Sequence, residues 1–187
     1  MTRRGSPDRP DRIERLTILS DLAGLLNSTL DQREVRRRAM EAATRLMGTE
    51  VGSLLLIDAA AGELYFEVAL GEKGERVKQL RLKIGQGIAG WVAETGQPAV
   101  VNDVSADPRF YRQADARSAF VTRNMICVPV RSKDRMLGVL QAINKRDGLF
   151  TDQDLQDFTS LANQVAIAIE NALLYEELQE TDRKSVV

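Results

Sequence analysis

Apolar and polar positions alternate with two different periods along this chain, and the changeovers mark its elements. Leu16, Leu19, Ala23, Leu26 and Leu30 recur at spacings of three and four, the seam of a helix, which predicts one from about 11 to 27. Asp31 followed by Glu34 has the form of a capping box, and Val35, Ala39, Ala42 and Leu46 mark one face of a second helix over 32–47, stopped by Gly48. Past that glycine the period shortens to that of strands: Val51 to Ile57, a turn at Ala59 to Gly62, then Leu64 to Leu70 make a hairpin, and Gln79 to Ile84 form a third strand. Gly87 to Glu94 read as a short helix closed by Gly96, and Ala99 to Val101 as a short strand. A long irregular stretch then runs to about Asn124. Met125 to Val130 and Met136 to Asn144 are two further strands joined by the polar turn Ser132 to Asp134. Thr151 with Asp154 makes another capping box, and Leu155, Phe158, Ala162, Val165, Ile169 and Ala172 carry a last helix to about Glu180.

These elements make an α+β chain with a largely antiparallel sheet and long terminal helices. Its 187 residues suit one core rather than two. The expected layout is a lead-in at 1–11 too polar to order, one domain over 12–180 and a tail at 181–187.

Charge and composition narrow the chemistry. Twenty-six basic against 27 acidic residues leave a net charge of -1, so no overall field favours nucleic acid or an anionic membrane. Arg36, Arg37 and Arg38 on the second helix read as a solvated face. No apolar run is long enough to span a membrane and the first residues lack a secretory signal, so a cytoplasmic protein is expected. There is no histidine, which removes the commonest catalytic base and metal ligand; no metal site and no catalytic residue are expected. Cys127, the lone cysteine, sits in an apolar strand and reads as a small buried hydrophobe. Gly85, Gly87 and Gly90 satisfy GxGxxG, but the flanking pattern is not a parallel βαβ unit, so they read as a tight turn and a close packing contact.

The segments GSLLLID, GQGIAGWVAETGQP, NDVSADPRF, TRNMICVPV and GVLQAINKRDGLFTDQD occur in the order found in GAF domains, over about Arg15 to Tyr175. The chain resembles most the GAF domains of cyclic-nucleotide phosphodiesterases and cyanobacterial adenylate cyclases. That resemblance implies a central antiparallel sheet of about six strands, with terminal helices on one face and a ligand pocket under loops and short helices on the other. It implies a regulatory sensory module rather than an enzyme, a homodimer formed through the terminal helices, and an output domain or partner that the sequence does not identify. Bilin-attaching relatives use a cysteine, commonly with a neighbouring histidine, and methionine-sulfoxide-reducing relatives use several cysteines; neither set exists here.

The same resemblance places Ser53, Ala89, Asp115, Ser118, Phe120, Thr122 and Gln141 where the cyclic-nucleotide binders contact ligand. Ser118 keeps a hydroxyl where threonine is usual, and Gln141 replaces an acid. Gln141 is also the polar exception of its strand, so it needs a ligand, a water or another polar group beside it. Asn144, Lys145, Phe150 and Asp154 match four of five positions of a signature of that subset, and Leu155 stands at the fifth. Lys145 and Asp154 are expected to pair over Phe150 in a structural role. Near Val68 and Ala69 the aromatic and the aspartate that can hold a base are missing, so cyclic nucleotides are expected to bind weakly. The chain is thus expected to be a small-molecule sensor, with a cyclic-nucleotide-binding domain and a purely structural dimerisation module as the alternatives.

Overall fold

A computed structural model describes residues 12–26, 31–72 and 74–185. The expected lead-in at 1–11 lies outside them, as do Leu30 and the side chain of Leu26. The elements run α1 (Arg12–Leu26), α2 (Gln32–Met47), β1 (Thr49–Asp58), β2 (Glu63–Ala69), α3 (Gly74–Val77), β3 (Arg81–Lys83), α4 (Gly87–Thr95), β4 (Ala99–Val101), a 3-10 turn (Val104–Ala106), α5 (Arg112–Ser118), β5 (Met125–Ser132), β6 (Arg135–Lys145) and α6 (Asp152–Ser185). All six strands form one sheet in the order β3-β2-β1-β6-β5-β4, antiparallel at every pairing.

Side-chain alternation along the strands divides the interior into two. Leu54, Leu56, Ile126, Val128, Leu140 and Ala142 face α1, α2 and α6. Leu55, Met125, Cys127 and Val139 face the other way, with Ile88, Val92 and Ala93 of α4. Terminal helices thus cover one face, and α4, α5 and their loops cover the other.

The helices differ from the sequence expectation in which faces they bury. Among the described side chains of α1 the buried ones are Ile18 and Leu22, while Leu16 is 61% exposed and Leu19 and Ala23 are half-buried. Apolar residues lie on both sides of this helix, so Ile18 and Leu22 form a buried stripe beside the expected seam, of which Leu19 packs on the core and Leu16 stays exposed. In α2, Ala43 is buried where Ala42 was expected, and Met40 and Met47 join it. Asp31 caps α2 through Arg33 N at 3.0 Å, but Glu34 does not close the box, because it binds Arg37 and Arg38 instead. Arg37 and Arg38 thus form the solvated face expected, whereas Arg36 is part-buried in its pair with Glu67 and departs from that expectation. The last helix runs on past Glu180 to Ser185, through most of the expected tail. Its start is the reciprocal box foreseen: Thr151 N donates to Asp154 Oδ2 at 2.8 Å, and Asp154 N to Thr151 Oγ1 at 3.3 Å. Among the described residues no helix is long and apolar enough to cross a membrane.

Candidate functional site

The glycine-rich turn builds the first wall. Gly85 and Gly87 adopt φ of 85° and 70°, which bring the chain from β3 into α4. A Cβ on Gly90 would stand 2.6 Å from the Lys83 carbonyl oxygen, so α4 packs this closely on β3 only because that residue is glycine. Arg109 then stacks its guanidinium 4.3 Å from the Trp91 ring of α4 and bonds Asp107 at 2.6 Å, which fixes the start of the lid. Asp107 is held below the usual carboxylate range chiefly by that arginine, against the opposing effect of burial.

Between α4, the lid and the second face of the sheet lies a cavity of about 500 Å³. All seven positions named from the resemblance line it: Ser53 and Gln141 on the sheet, Ala89 on α4, and Asp115, Ser118, Phe120 and Thr122 in the lid. Ser53 and Gln141 are register partners across β1 and β6, both nearly inaccessible, and the serine hydroxyl donates to the Gln141 amide oxygen at 3.2 Å. Gln141 therefore has the polar neighbour its strand position demanded. On the next strand its register partner is Cys127, whose thiol burial pushes far above the ordinary range, outweighing a hydrogen bond from Gln141 and the charge of Arg109.

The lid is not irregular as expected. Its polar stretch folds as α5, which ends at Ala119 in a left-handed conformation. Asp115 accepts from both the backbone N and the hydroxyl of Thr122, each at 2.7 Å, which latches α5 to the approach of β5. Ser118 turns its hydroxyl back to the Ala114 carbonyl at 2.8 Å. A seven-residue helix with one buried side chain leaves too little apolar periodicity to be read from sequence.

Of the two positions expected to hold a base, only Ala69 lines the cavity. Val68 faces the terminal helices, not the cavity. A register shift between Leu54 and Leu55 opposes Ser53 to Ala69 and Leu54 to Val68, but Leu55 to Phe66, so Glu67 is an extra residue in β2. Leu64, Phe66 and Ala69 lie on the cavity side, and Glu67 bonds Arg36 of α2 on the other. The cavity does hold aromatic rings, those of Phe66, Phe110, Tyr111 and Phe120, and Arg146 stands among its lining residues. Phe66 was detectable as the aromatic two residues past the inward Leu64; the bulge that follows leaves no mark in the sequence.

A buried ionic cluster sits where β6 meets α6. Lys145 Nζ bonds Asp154 Oδ2 at 2.5 Å, with side-chain exposures of 5% and 1%, and the ammonium lies 5.2 Å from the Phe150 ring. Arg15 of α1 reaches Asp154 Oδ1 at 3.9 Å and also bonds Asp157. Asn102 clamps Phe150 through both its backbone groups, at 2.9 and 3.2 Å. Arg15 and Asn102 were missed because they are distant in sequence from the signature they complete, and Asp157, one turn past Asp154 on the same helix, was missed as well. Asn144 donates to Glu50 at 3.0 Å and to the Val121 carbonyl at 2.9 Å, and accepts from Arg123 N at 2.8 Å. Hydrogen bonds from Arg123 and then Asn144 hold Glu50 below the usual carboxylate range.

A model of the GAF domain family matches residues 31–169. The chain is 30% identical over 156 residues to a probable 3′,5′-cyclic phosphodiesterase, pde-5, of Caenorhabditis elegans; the match takes in 79% of this chain and 21% of that protein. The chain thus spans about a fifth of the length of that relative. Among solved structures it superposes on the GAF domain of a phosphoenolpyruvate-protein phosphotransferase from Coxiella burnetii with a TM-score of 0.79 at 20% identity, covering 90% of this chain and 99% of that one. It also superposes on free methionine-R-sulfoxide reductase from Neisseria meningitidis in complex with its substrate, with a TM-score of 0.72 at 21% identity, covering 90% and 96%.

Proposed function

The chain belongs to the GAF domain family of regulatory and sensory domains, and from that premise we propose that it is a non-enzymatic cytoplasmic sensor whose cavity takes a small molecule and relays occupancy to an output elsewhere. The observation that carries this reading is the convergence of Ser53, Ala89, Asp115, Ser118, Phe120, Thr122 and Gln141 on one space of about 500 Å³. That volume and its mixture of rings with a few aimed polar groups are typical of small-molecule sites. A non-catalytic role is supported by the nature of the sole cysteine, buried and with its thiol pushed up, since nucleophilic and redox cysteines need thiolate character. A thermal-shift screen against a metabolite library tests it. A ligand at about 100 times its Kd should add about 2.7 kcal/mol to stability, and a library in which no compound shifts the transition counts against the sensor reading.

A cyclic nucleotide is the second reading, favoured by the likeness to a cyclic phosphodiesterase and by the rings beside the Ser53–Gln141 floor. Ala69, however, offers no acceptor to a base. Cyclic AMP and cyclic GMP are expected to bind with micromolar or weaker affinity. Ala69→Asp should tighten cyclic GMP about ten- to hundredfold, since a hydrogen bond to a charged group contributes about 1.5–3 kcal/mol and each tenfold takes about 1.4. Submicromolar binding to the unmodified chain in calorimetry would move this reading to first place.

Dimerisation belongs to the proposal too. Ile13 and Leu16 on α1 and Ile167, Leu174 and Leu178 on α6 are exposed, and the α6 spacings of seven and four follow a coiled-coil seam. We expect a homodimer through these helices at micromolar concentration in sedimentation equilibrium. Leu174→Asp with Leu178→Asp should yield a folded monomer; a chain already monomeric at that concentration contradicts the proposal. Leu19 is a poor probe, because it packs on the monomer's own core.

A further inference from the structure

We infer that Asn144 is the hinge through which the state of the lid reaches the N-terminal helix α1, an inference that rests on the reading of the cavity as a ligand site. Asn144 is a buried non-glycine residue at the end of β6 with φ of 58°, a left-handed conformation that costs an L-residue free energy unless its surroundings enforce it. What enforces it is the exit of the lid. The side chain of Asn144 holds the Val121 carbonyl and Arg123 N, the two neighbours of Thr122, while its own backbone N donates to the Asn124 carbonyl at 2.9 Å. Thr122 is in turn held by Asp115 from the cavity side. A molecule that drew Asp115 or Thr122 toward itself would drag on Val121 and Arg123, and so on the bonds that keep Asn144 left-handed.

The next residue carries the change across the sheet. Lys145 N donates to Asn124 Oδ1 at 2.8 Å, so the asparagine that ends the lid also positions the lysine backbone. Lys145 Nζ ends on Asp154, and Asp154 and Asp157 together face Arg15 of α1. Arg15 is where these carboxylates hold α1, beside the buried Ile18 and Leu22 and the Leu19 packed on the same core, so a shift of the carboxylates bears directly on the docking of this helix. Lid and helix are therefore two readers of one pair of residues, Asn144 and Lys145, and a change in either should be felt by the other.

Amide hydrogen exchange on the whole chain tests this without any ligand, so the result stands apart from whether the cavity binds anything. Thr122→Val cuts the hydroxyl arm of the latch. It should speed exchange of the α1 amides about fivefold, as a local opening, with the central amides of β5 and β6 unchanged. In an Asn144→Gly background, where glycine accepts the left-handed backbone but supplies no side chain, the same substitution should change α1 exchange by less than about twofold. Should that variant not fold, Asn144→Asp serves instead, because it keeps an acceptor for Arg123 N and loses the donor to Val121. The inference is overturned if Thr122→Val leaves α1 exchange as it was, or if it speeds α1 equally with and without the Asn144 side chain.

Discussion

Asp154→Ala should lower the unfolding free energy by about 3–5 kcal/mol in urea denaturation, the cost typical of stranding one half of a buried ion pair. The Lys145 ammonium it abandons has 5% of its side chain exposed, and the same substitution removes the acceptor for Thr151 N that begins α6. Replacing both partners by apolar residues, Lys145→Met with Asp154→Leu, should recover most of the loss, since apolar pairs of similar volume often equal or exceed a buried ion pair. A single-variant loss under about 1 kcal/mol would class the pair with exposed salt bridges and remove it as the anchor of α6.

The pH dependence of this effect has a definite sign. Burial raises the Asp154 carboxyl, but hydrogen bonds from Lys145 and Thr151 and the lysine charge outweigh it and hold the group below the ordinary 3.8. A depressed carboxylate contributes stability that is complete above its unfolded value and is lost as pH falls through the folded one. The gap between the native chain and Asp154→Asn should therefore be constant from neutrality down to near that ordinary value, and narrow in stronger acid. A gap that instead narrowed on raising the pH from neutrality would contradict this sign.

Elements with strong periodicity and a clear stop were legible. The Thr151–Asp154 box, Gly48 and Gly96 each end or begin a helix where the sequence places it, because capping chemistry is local. Two features that depend on tertiary context were not. Two apolar stripes on α1 compete, and only packing against α2 and α6 decides that Ile18 and Leu22 go inward. The bulge at Glu67 shifts the alternation of β2 without any glycine or proline to announce it, so the sequence does not tell which of Val68 and Ala69 faces the cavity. The site divides in the same way. Gln141 stood out as a polar residue in an apolar strand, whereas Asp115, Ser118 and Thr122 lie in a segment without period. They entered through family resemblance alone, and Arg15 and Asn102 entered through neither.

Ala69→Trp should weaken any ligand of the cavity at least about 100-fold, a loss of about 2.8 kcal/mol at 1.4 per tenfold. Ala69 lies on the cavity side of β2 opposite Ser53, so an indole there projects over the Ser53–Gln141 floor and among the rings of Phe66 and Phe120. Overpacking a filled core costs about 1–3 kcal/mol, but about 500 Å³ of open space receives this side chain, so stability should change little. The dimer proposed through α1 and α6, on the opposite face of the sheet, should persist. This combination separates the two remaining readings of the chain, because a purely structural dimerisation module has no property that Ala69→Trp would alter. The measurement is calorimetric titration of the compound that gives the largest thermal shift, on the native chain and on the variant, with sedimentation of both. Equal affinity for the two would place the ligand somewhere other than the cavity, and with it the sensory role assigned to Asp115 and Thr122 would fall.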